Sequence, residues 1–121
     1  MLESEIQNKI KLEASQKKMR LWRNNNGVAF SKDGTPIRFG LANESKKVNE
    51  VLKSSDLIGI KPIVITQDMV GKTIGQFVCR EVKNSEWKYS GTKREQAQLN
   101  WINLINSLGG DAAFATSEGT L

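Results

Sequence analysis

The chain has 121 residues, of which 38% are hydrophobic and 26% charged, so it has the composition of one ordinary folded domain and not of a disordered chain. The absence of histidine excludes Ser-His, Cys-His and histidine–metal mechanisms, and a single cysteine, Cys79, excludes an intrachain disulfide and a cysteine-built zinc site. With 18 Lys and Arg against 13 Asp and Glu, the net charge is +5, which favours a polyanionic partner without identifying one.

In the first half of the chain, apolar residues at helical spacing predict a helix over residues 2–22. The turn formers at 23–27 end it. Short apolar runs at 28–30 and 37–41 predict two strands joined by a turn. The polar, lysine-rich segment 42–53 predicts a surface loop with at most a short helical turn.

In the second half, β-branched runs at 56–65 and 74–83 predict two strands separated by a turn, with Cys79 packed in the core. Thr92 and Glu95 form a capping box that predicts a helix to about Leu108, followed by a strand at 112–116. The predicted apolar stripe of this helix comprises Ala97, Trp101, Leu104, Ile105 and Leu108.

These elements together predict a single α+β (α/β) domain over residues 1–121. Its small mixed sheet would be flanked by an N-terminal helix and by a second helix in the C-terminal half. No stretch is long and apolar enough to span a membrane, and the first five residues are acidic instead of signal-like. We therefore expect no membrane segment and a cytoplasmic setting.

Glu-x-Lys occurs three times, at 44–46, 81–83 and 86–88, but only the second continues a strand pattern. Side chains two apart on a strand share a face, so Glu81 and Lys83 are predicted to point the same way. If 56–65 and 74–83 form an antiparallel hairpin, Asp56 lies opposite Lys83, or opposite Glu81 after a slip of two. The alternative is a cross-strand ion pair with no catalytic role.

Glu3 is a further candidate carboxylate. It falls on the same predicted helix face as Ile6 and Ile10, where an acid is costly unless it has a partner, which favours a metal or another cation. Glu5 points away on the same helix. Which of the two is the functional acid stays open.

Five short motifs, taken in chain order, resemble the virus-type replication-repair nuclease (VRR-NUC) family of the PD-(D/E)xK nuclease superfamily. The motifs are Glu3-x-x-Ile6-Gln7, Arg23-Asn24-Asn25-x-Gly27, Ser55-Asp56-Leu57-Ile58-Gly59, Glu81-x-Lys83 and Thr92-x-x-x-Gln96. The resemblance covers nearly the whole chain and implies a restriction-endonuclease-like core. Ser55 stands where the superfamily has proline, a residue that shapes the turn and not the chemistry.

The resemblance also implies residue roles. Asp56 and Glu81 would be direct metal ligands, with the Val82 carbonyl nearby, and Glu3 would help to bind the metal or position water. Lys83 would orient the attacking water and offset charge on the phosphorane as it forms. A glutamine that braces the site would be Gln96.

An all-oxygen ligand set suits Mg²⁺ or Mn²⁺ and not softer metals. Such an ion lowers the pKa of a coordinated water, so phosphodiester hydrolysis would not need histidine. We expect no nucleotide cofactor.

The expected DNA contacts are positive and amide side chains that recognise branch structure and not sequence, because no segment resembles a recognition helix. Trp87 and Tyr89 either stack on unpaired bases or pack over the core or a subunit contact. The candidate DNA-binding residues are Arg23, Asn24, Asn25, Lys46, Lys47, Lys53, Lys72, Lys88, Lys93 and Arg94.

The sequence therefore favours a metal-dependent, structure-selective DNA endonuclease similar to Holliday junction resolvases. Small members of the family resemble those resolvases in being homodimers, and they occur in phages and prophages, which implies action in a bacterial cytoplasm. The alternatives are a restriction-like nuclease that cuts plain duplex and a basic DNA-binding module that cuts nothing.

Overall fold

The computed structural model describes residues 2–121, and the chain divides into two compact units with the boundary between Gly59 and Ile60. Three helices and three two-stranded sheets confirm the α+β class. Within residues 2–121, no helix is long and apolar enough to cross a membrane. The elements are α1 Glu3–Gln16, β1 Arg20–Arg23, β2 Gly27–Phe30, β3 Pro36–Phe39, α2 Lys46–Val51, β4 Leu57–Ile60, a 3-10 turn Gln67–Met69, β5 Val78–Val82, α3 Lys93–Ser107 and β6 Asp111–Ala115.

The first helix is shorter than predicted. It ends at Gln16, and Lys18 adopts a positive φ of 60° that turns the chain away from the helix axis. The next residues, Arg20–Arg23, form β1 and pair with β4. Leu21 matched the helical spacing, but its place in a strand depends on pairing with β4, a distant segment that local periodicity does not encode.

The hairpin of β2 and β3 confirms the two strands predicted between residues 28 and 41. It is antiparallel, with Gly27 opposite Phe39 and Phe30 opposite Pro36. The Asp33 carboxylate closes the turn by accepting hydrogen bonds from the Ser31 hydroxyl and the Thr35 backbone N–H. These hydrogen bonds lower the pKa of Asp33 to about 2.

Asn43 fastens the next segment to this hairpin. Its buried side chain donates to the Gly27 and Phe39 carbonyls, and its Oδ1 accepts from Arg38 at 2.9 Å. Ser45 then caps α2 by accepting from the Val48 N–H. The segment predicted as a surface loop therefore contains a six-residue helix.

Strand β4 is shorter than predicted, since residues 61–66 have no regular structure. Its backbone lies very close to β1: a Cβ on Gly59 would be 1.8 Å from the Arg20 carbonyl oxygen. Only glycine permits this approach without a shift of one strand.

The second unit contains a β5–α3–β6 crossover, in which β5 and β6 pair in parallel with Glu81 opposite Phe114. The predicted antiparallel hairpin of 56–65 with 74–83 is therefore wrong: β4 pairs with β1, and β5 pairs with β6. A parallel pair needs a long crossover connection, and α3 provides it.

Helix α3 begins as predicted. Thr92 Oγ1 accepts from the Glu95 N–H, and the Glu95 carboxylate accepts in return from the Thr92 N–H, which completes the capping box. Gly109, with a φ of 93°, follows the helix end. The predicted apolar stripe is partly wrong, because Ile102 and Ile105 are buried whereas Ala97 and Trp101 are exposed.

Candidate functional site

Glu81 and Lys83 share one face of the second unit, as their spacing predicts. Glu81 lies within β5, and the pairing continues one residue further because the Lys83 N–H donates to the Ala115 carbonyl at 2.9 Å. The Lys83 Nζ lies 3.9 Å from Glu81 Oε1. Their side chains are 17% and 40% exposed respectively, so the ammonium is mostly enclosed while the carboxylate stays open to solvent.

Gln98 joins these two charged groups. Its Nε2 donates to Glu81 Oε1 at 2.9 Å, and its Oε1 accepts from Lys83 Nζ at 2.8 Å. An amide that contacts an acid and a base at once fixes the distance and orientation of both. We call Glu81, Lys83 and Gln98 the triad.

Sequence reasoning missed Gln98 and named Gln96. The Gln96 amide instead donates to the Gly91 carbonyl at 2.7 Å, at the exposed start of α3. Its predicted bracing role stays a prediction, although the glutamine that contacts Glu81 and Lys83 is Gln98. The signal was available in the helical pattern, because Gln98 lies four and seven residues before the buried Ile102 and Ile105.

Aromatic rings lie on another side of the lysine. The Lys83 Nζ is 5.6 Å from the centre of the Trp87 ring and 5.9 Å from that of Phe114. Trp87 and Phe114 stack with centroids 4.7 Å apart, and Tyr89 contacts both rings. Of the two uses predicted for Trp87, packing within its own unit is the one that these contacts favour.

A cavity of about 350 Å³ opens beside the triad, between β5 and the first turns of α3. It is lined in part by Glu81, Gln98, Arg94 and Trp101. Arg94, a predicted DNA contact, therefore lies at the same cavity as two triad members. Cys79 also lines it and is half-buried, in place of the full core burial predicted.

In the first unit, Asp56 and Glu3 line one groove. This groove has a volume of about 440 Å³ and is otherwise bordered mainly by apolar side chains, including Ile6, Ile10 and Leu57. Asp56 stands immediately before β4, and Glu3 begins α1. Both acids are exposed, so the argument that Glu3 sits on a buried face was wrong, although the groove does bring it to Asp56.

Glu5 has a different use. Its carboxylate accepts a hydrogen bond from the Leu2 N–H at 3.0 Å and so satisfies a free donor at the start of α1. An acid at this end also interacts favourably with the helix dipole. Glu3 thus lines the groove with Asp56 and Glu5 caps the helix, while the functional role of either acid stays a prediction.

Asn24 holds the segment that leads into Asp56. Its side-chain Nδ2 donates to the Ser54 hydroxyl and the Ser55 carbonyl at 2.7 and 2.9 Å, and its backbone N–H donates to the Asp56 carbonyl at 2.8 Å. Asn24 was predicted to contact DNA, and these bonds give its amide a structural use. Asn25 and Arg23 are exposed near the same turn.

The remaining predicted DNA contacts are exposed lysines. Lys46 and Lys47 begin α2, while Lys53 donates to the Asn49 side chain at 2.8 Å. Lys72, Lys88 and Lys93 are exposed in the second unit, Lys93 at the first position of α3. Their exposure permits contact with a polyanion, and the contacts themselves stay predictions.

The carboxylates divide between the two units. Among residues 2–121, no three acidic or cysteine side chains of either unit lie together as a metal-binding group. Of the predicted metal ligands, Glu3 and Asp56 lie in the first unit and Glu81 lies in the second. Val82 lies between Glu81 and Lys83 with its side chain exposed. That these three carboxylates bind the same metal ion stays a prediction.

In comparisons with known protein families, curated proteins and solved structures, the chain matches none.

Proposed function

We propose that this chain is a metal-dependent DNA endonuclease that hydrolyses phosphodiester bonds in branched DNA. The observation that carries the proposal is the triad, in which a lysine and an acid two residues apart on β5 are held by one amide. The ordered motif set resembles the virus-type replication-repair nucleases of the PD-(D/E)xK superfamily, and this resemblance is the reason for proposing catalytic roles for Glu81 and Lys83. A groove that brings Glu3 to Asp56 supports the same proposal.

The donor set fits a hard divalent cation. Glu81 Oε1 takes both contacts within the triad, and the side chain is 40% exposed, so a cation from solvent can reach the carboxylate. Asp56, Glu81 and Glu3 would hold Mg²⁺ or Mn²⁺, which prefer carboxylate oxygens, with the Val82 carbonyl nearby. The ion would supply Lewis acidity toward a phosphate oxygen and toward water.

The lysine has a separate task. An enclosed ammonium beside a carboxylate can orient a water for attack on phosphorus and offset the negative charge that develops on the phosphoryl oxygens. Gln98 keeps Lys83 at this position before substrate binds. This preorganisation matters because a side chain with four rotatable bonds otherwise spreads over many conformations.

A structural ion pair is a weaker explanation of the triad. Glu81 and Lys83 are separated by 3.9 Å, and the Glu81 side chain is 40% exposed, so solvent screens their attraction and the ion pair by itself adds little to stability. The cluster is better explained by chemistry that needs both charges.

A branched substrate is what the family resemblance implies, and symmetry and charge are consistent with it. A four-way junction has two-fold symmetry and requires two cuts, which a C2 homodimer with two identical sites would provide. The +5 charge suits a polyanion. A phage or prophage setting in a bacterial cytoplasm follows from the family resemblance alone.

The decisive experiment is cleavage of a labelled four-way junction and of a linear duplex of the same sequence. Each would be incubated with Mg²⁺, Mn²⁺ or EDTA. We expect the junction to be cut with either metal and not with EDTA, and the duplex to be cut much more slowly. Equal cutting of both substrates would support the restriction-like alternative, and binding without products under any metal would support the non-catalytic module.

Variants connect that activity to the proposed residues. Lys83→Ala should keep junction binding and lose cutting, whereas Asp56→Asn should lose cutting and weaken metal binding as well. Glu81→Gln should also be inactive. Its matched control is Glu86→Gln, in the exposed Glu86-Trp87-Lys88 copy of the motif, which should cut normally. Full activity in Asp56→Asn would contradict the assignment.

A further inference from the structure

Glu95 uses its two carboxylate oxygens for different tasks. Oε1 accepts from the Thr92 N–H at 3.0 Å and from the Ser90 N–H and hydroxyl at 3.2 and 2.9 Å, which accounts for the cap of α3. Oε2 accepts from the Trp87 indole Nε1–H at 2.7 Å. The cap explains the first set of bonds and leaves the bond to Trp87 to be explained.

The bond to Trp87 is short, enclosed and charge-assisted. Glu95 is only 6% exposed, and its hydrogen bonds, chiefly the one from Thr92, lower its pKa to about 2, so the carboxylate is ionised at neutral pH. Hydrogen bonds to an ionised acceptor are stronger and more directional than neutral ones. Trp87 is therefore held in one orientation within an otherwise exposed loop.

That orientation brings the indole to the triad. The ring packs against Phe114, which lies opposite Glu81 in the β5–β6 register, and its centre is 5.6 Å from the Lys83 Nζ. The ammonium thus has aromatic rings on one side and the Gln98 amide oxygen on another, at 2.8 Å. Aromatic faces attract the cation while excluding water from that side.

We propose that Trp87, fixed by Glu95, is a positioning residue that confines the Lys83 ammonium to the side of Glu81 and Gln98. Its catalytic consequence rests on the proposed nuclease function. The placement of Lys83 itself does not, because it follows from contacts within residues 81–114.

The variants separate the ring from its hydrogen bond. Trp87→Leu removes both, and Trp87→Phe keeps an aromatic ring while deleting the donor to Glu95. Tyr89→Phe is the matched control, since it changes a neighbouring ring of the same loop and keeps its aromatic contacts. Thermal unfolding would establish that each variant is folded at the assay temperature. If Trp87→Leu is not folded, Trp87→Phe is the variant on which the inference is tested.

The first readout is kinetic. Misplacing a reacting group by about an ångström can lower the rate by as much as about a hundredfold, so we expect kcat for junction cleavage to fall about ten- to a hundredfold in Trp87→Leu and less in Trp87→Phe. KM should stay within about twofold, because a positioning residue acts on the chemical step and not on binding. Tyr89→Phe should match the wild type in both constants.

The second readout does not depend on activity. In the wild type, NOEs should connect the Lys83 ε-methylene, which can be assigned by its absence in Lys83→Ala, to the Gln98 side chain, because the Lys83 Nζ lies 2.8 Å from Gln98 Oε1. In Trp87→Leu, and partly in Trp87→Phe, those NOEs should weaken as the lysine leaves Gln98. Tyr89→Phe should leave them unchanged.

The outcomes are distinguishable. Unchanged NOEs between Lys83 and Gln98 in folded Trp87→Leu would overturn the inference, whatever the activity. Weakened NOEs with unchanged kcat would overturn its catalytic consequence. A wild-type protein that cuts no DNA with any metal would overturn the proposed nuclease function, and the NMR result would still decide whether Trp87 holds Lys83.

Discussion

At the scale of single residues, the two glutamines of α3 offer a direct comparison. Gln98 contacts both Glu81 and Lys83, whereas Gln96 contacts the Gly91 carbonyl. Replacing either glutamine with alanine removes the same amide group from the same helix. Only the replacement of Gln98 also removes a contact with Lys83, the proposed catalytic lysine.

We therefore expect Gln98→Ala to lower kcat for junction cleavage by about tenfold or more, since it releases the lysine and the acid from their fixed geometry. Gln96→Ala should retain nearly full activity. Single-turnover cleavage of the labelled junction measures both. Greater loss in Gln96→Ala would favour the bracing role first assigned from the sequence.

Glu95 makes a prediction about pH. Its pKa is lowered from 4.5 to about 2 by hydrogen bonds from Thr92, Ser90 and Trp87. A lowered pKa means that folding favours the ionised form, so the stabilisation is fully present above pH 4.5 and is lost as pH falls toward 2. Asp33 titrates in the same range, so the effect of Glu95 must be measured as a difference.

Urea unfolding of the wild type and Glu95→Gln at a series of pH values from 7 to 2 supplies that difference. The wild type should be the more stable protein at pH 7, and the difference should shrink below pH 4.5 and vanish as pH falls through about 2. Because Asp33 is present in both proteins, its contribution cancels. A stability difference that does not change with pH would show that the charge on Glu95 is unimportant.

At the scale of elements, the close approach of β1 and β4 depends on Gly59. A Cβ there would lie 1.8 Å from the Arg20 carbonyl oxygen, an overlap that only backbone movement can relieve. Because β4 begins directly after Asp56, such a movement would also disturb the groove that Asp56 shares with Glu3. Packing and site geometry are linked at this glycine.

Gly59→Ala should destabilise the protein by about 1–3 kcal/mol or more, as overpacking does. Gly75→Ala is the matched control, because a Cβ at Gly75 would meet no atom within 4 Å and should change stability by less than about 0.5 kcal/mol. Chemical denaturation of the two variants measures both effects. If the Gly59→Ala and Gly75→Ala variants were equally stable, β1 and β4 would be shown to accommodate a Cβ at residue 59 without cost.

Elements whose signals are local were predicted well from the sequence. The β2–β3 turn depends on Asp33 and Gly34, and the start of α3 on Thr92 and Glu95, so both can be recognised within a few residues. Strand partners could not be predicted in this way. The proposed 56–65 with 74–83 hairpin assumed that consecutive strands pair, but β5 instead pairs with β6 across α3.

At the scale of the whole molecule, the relevant property is charge. A net charge of +5 in 121 residues is consistent with binding driven by phosphate contacts, which releases counterions from the nucleic acid. Lys46 and Lys47 are exposed at the start of α2 and are candidate contacts. Such binding must weaken as salt concentration rises.

We expect the logarithm of the junction-binding constant to fall linearly with the logarithm of salt concentration, with a slope near −0.9 for each phosphate contacted. Substituting both Lys46 and Lys47 with Ala should make that slope shallower by about 2. The control is Lys32→Ala with Lys61→Ala, which removes the same charge from two other exposed positions. Titrations in the presence of EDTA measure binding without cleavage, and equal slopes for the two double variants would exclude a specific contact at α2.

The sequence by itself determined the α+β class, the capping of α3, the hairpin turn and the shared face of Glu81 and Lys83, because each depends on residues close together in the chain. Only the tertiary structure decided that Gln98 joins the acid to the lysine, that Glu3 and not Glu5 borders the groove of Asp56, and that Asn24 anchors the turn around Asp56. These arrangements involve residues up to 53 positions apart, as for Glu3 and Asp56, which line one groove. Local propensity does not specify such contacts, because they form only when packed elements bring distant segments together.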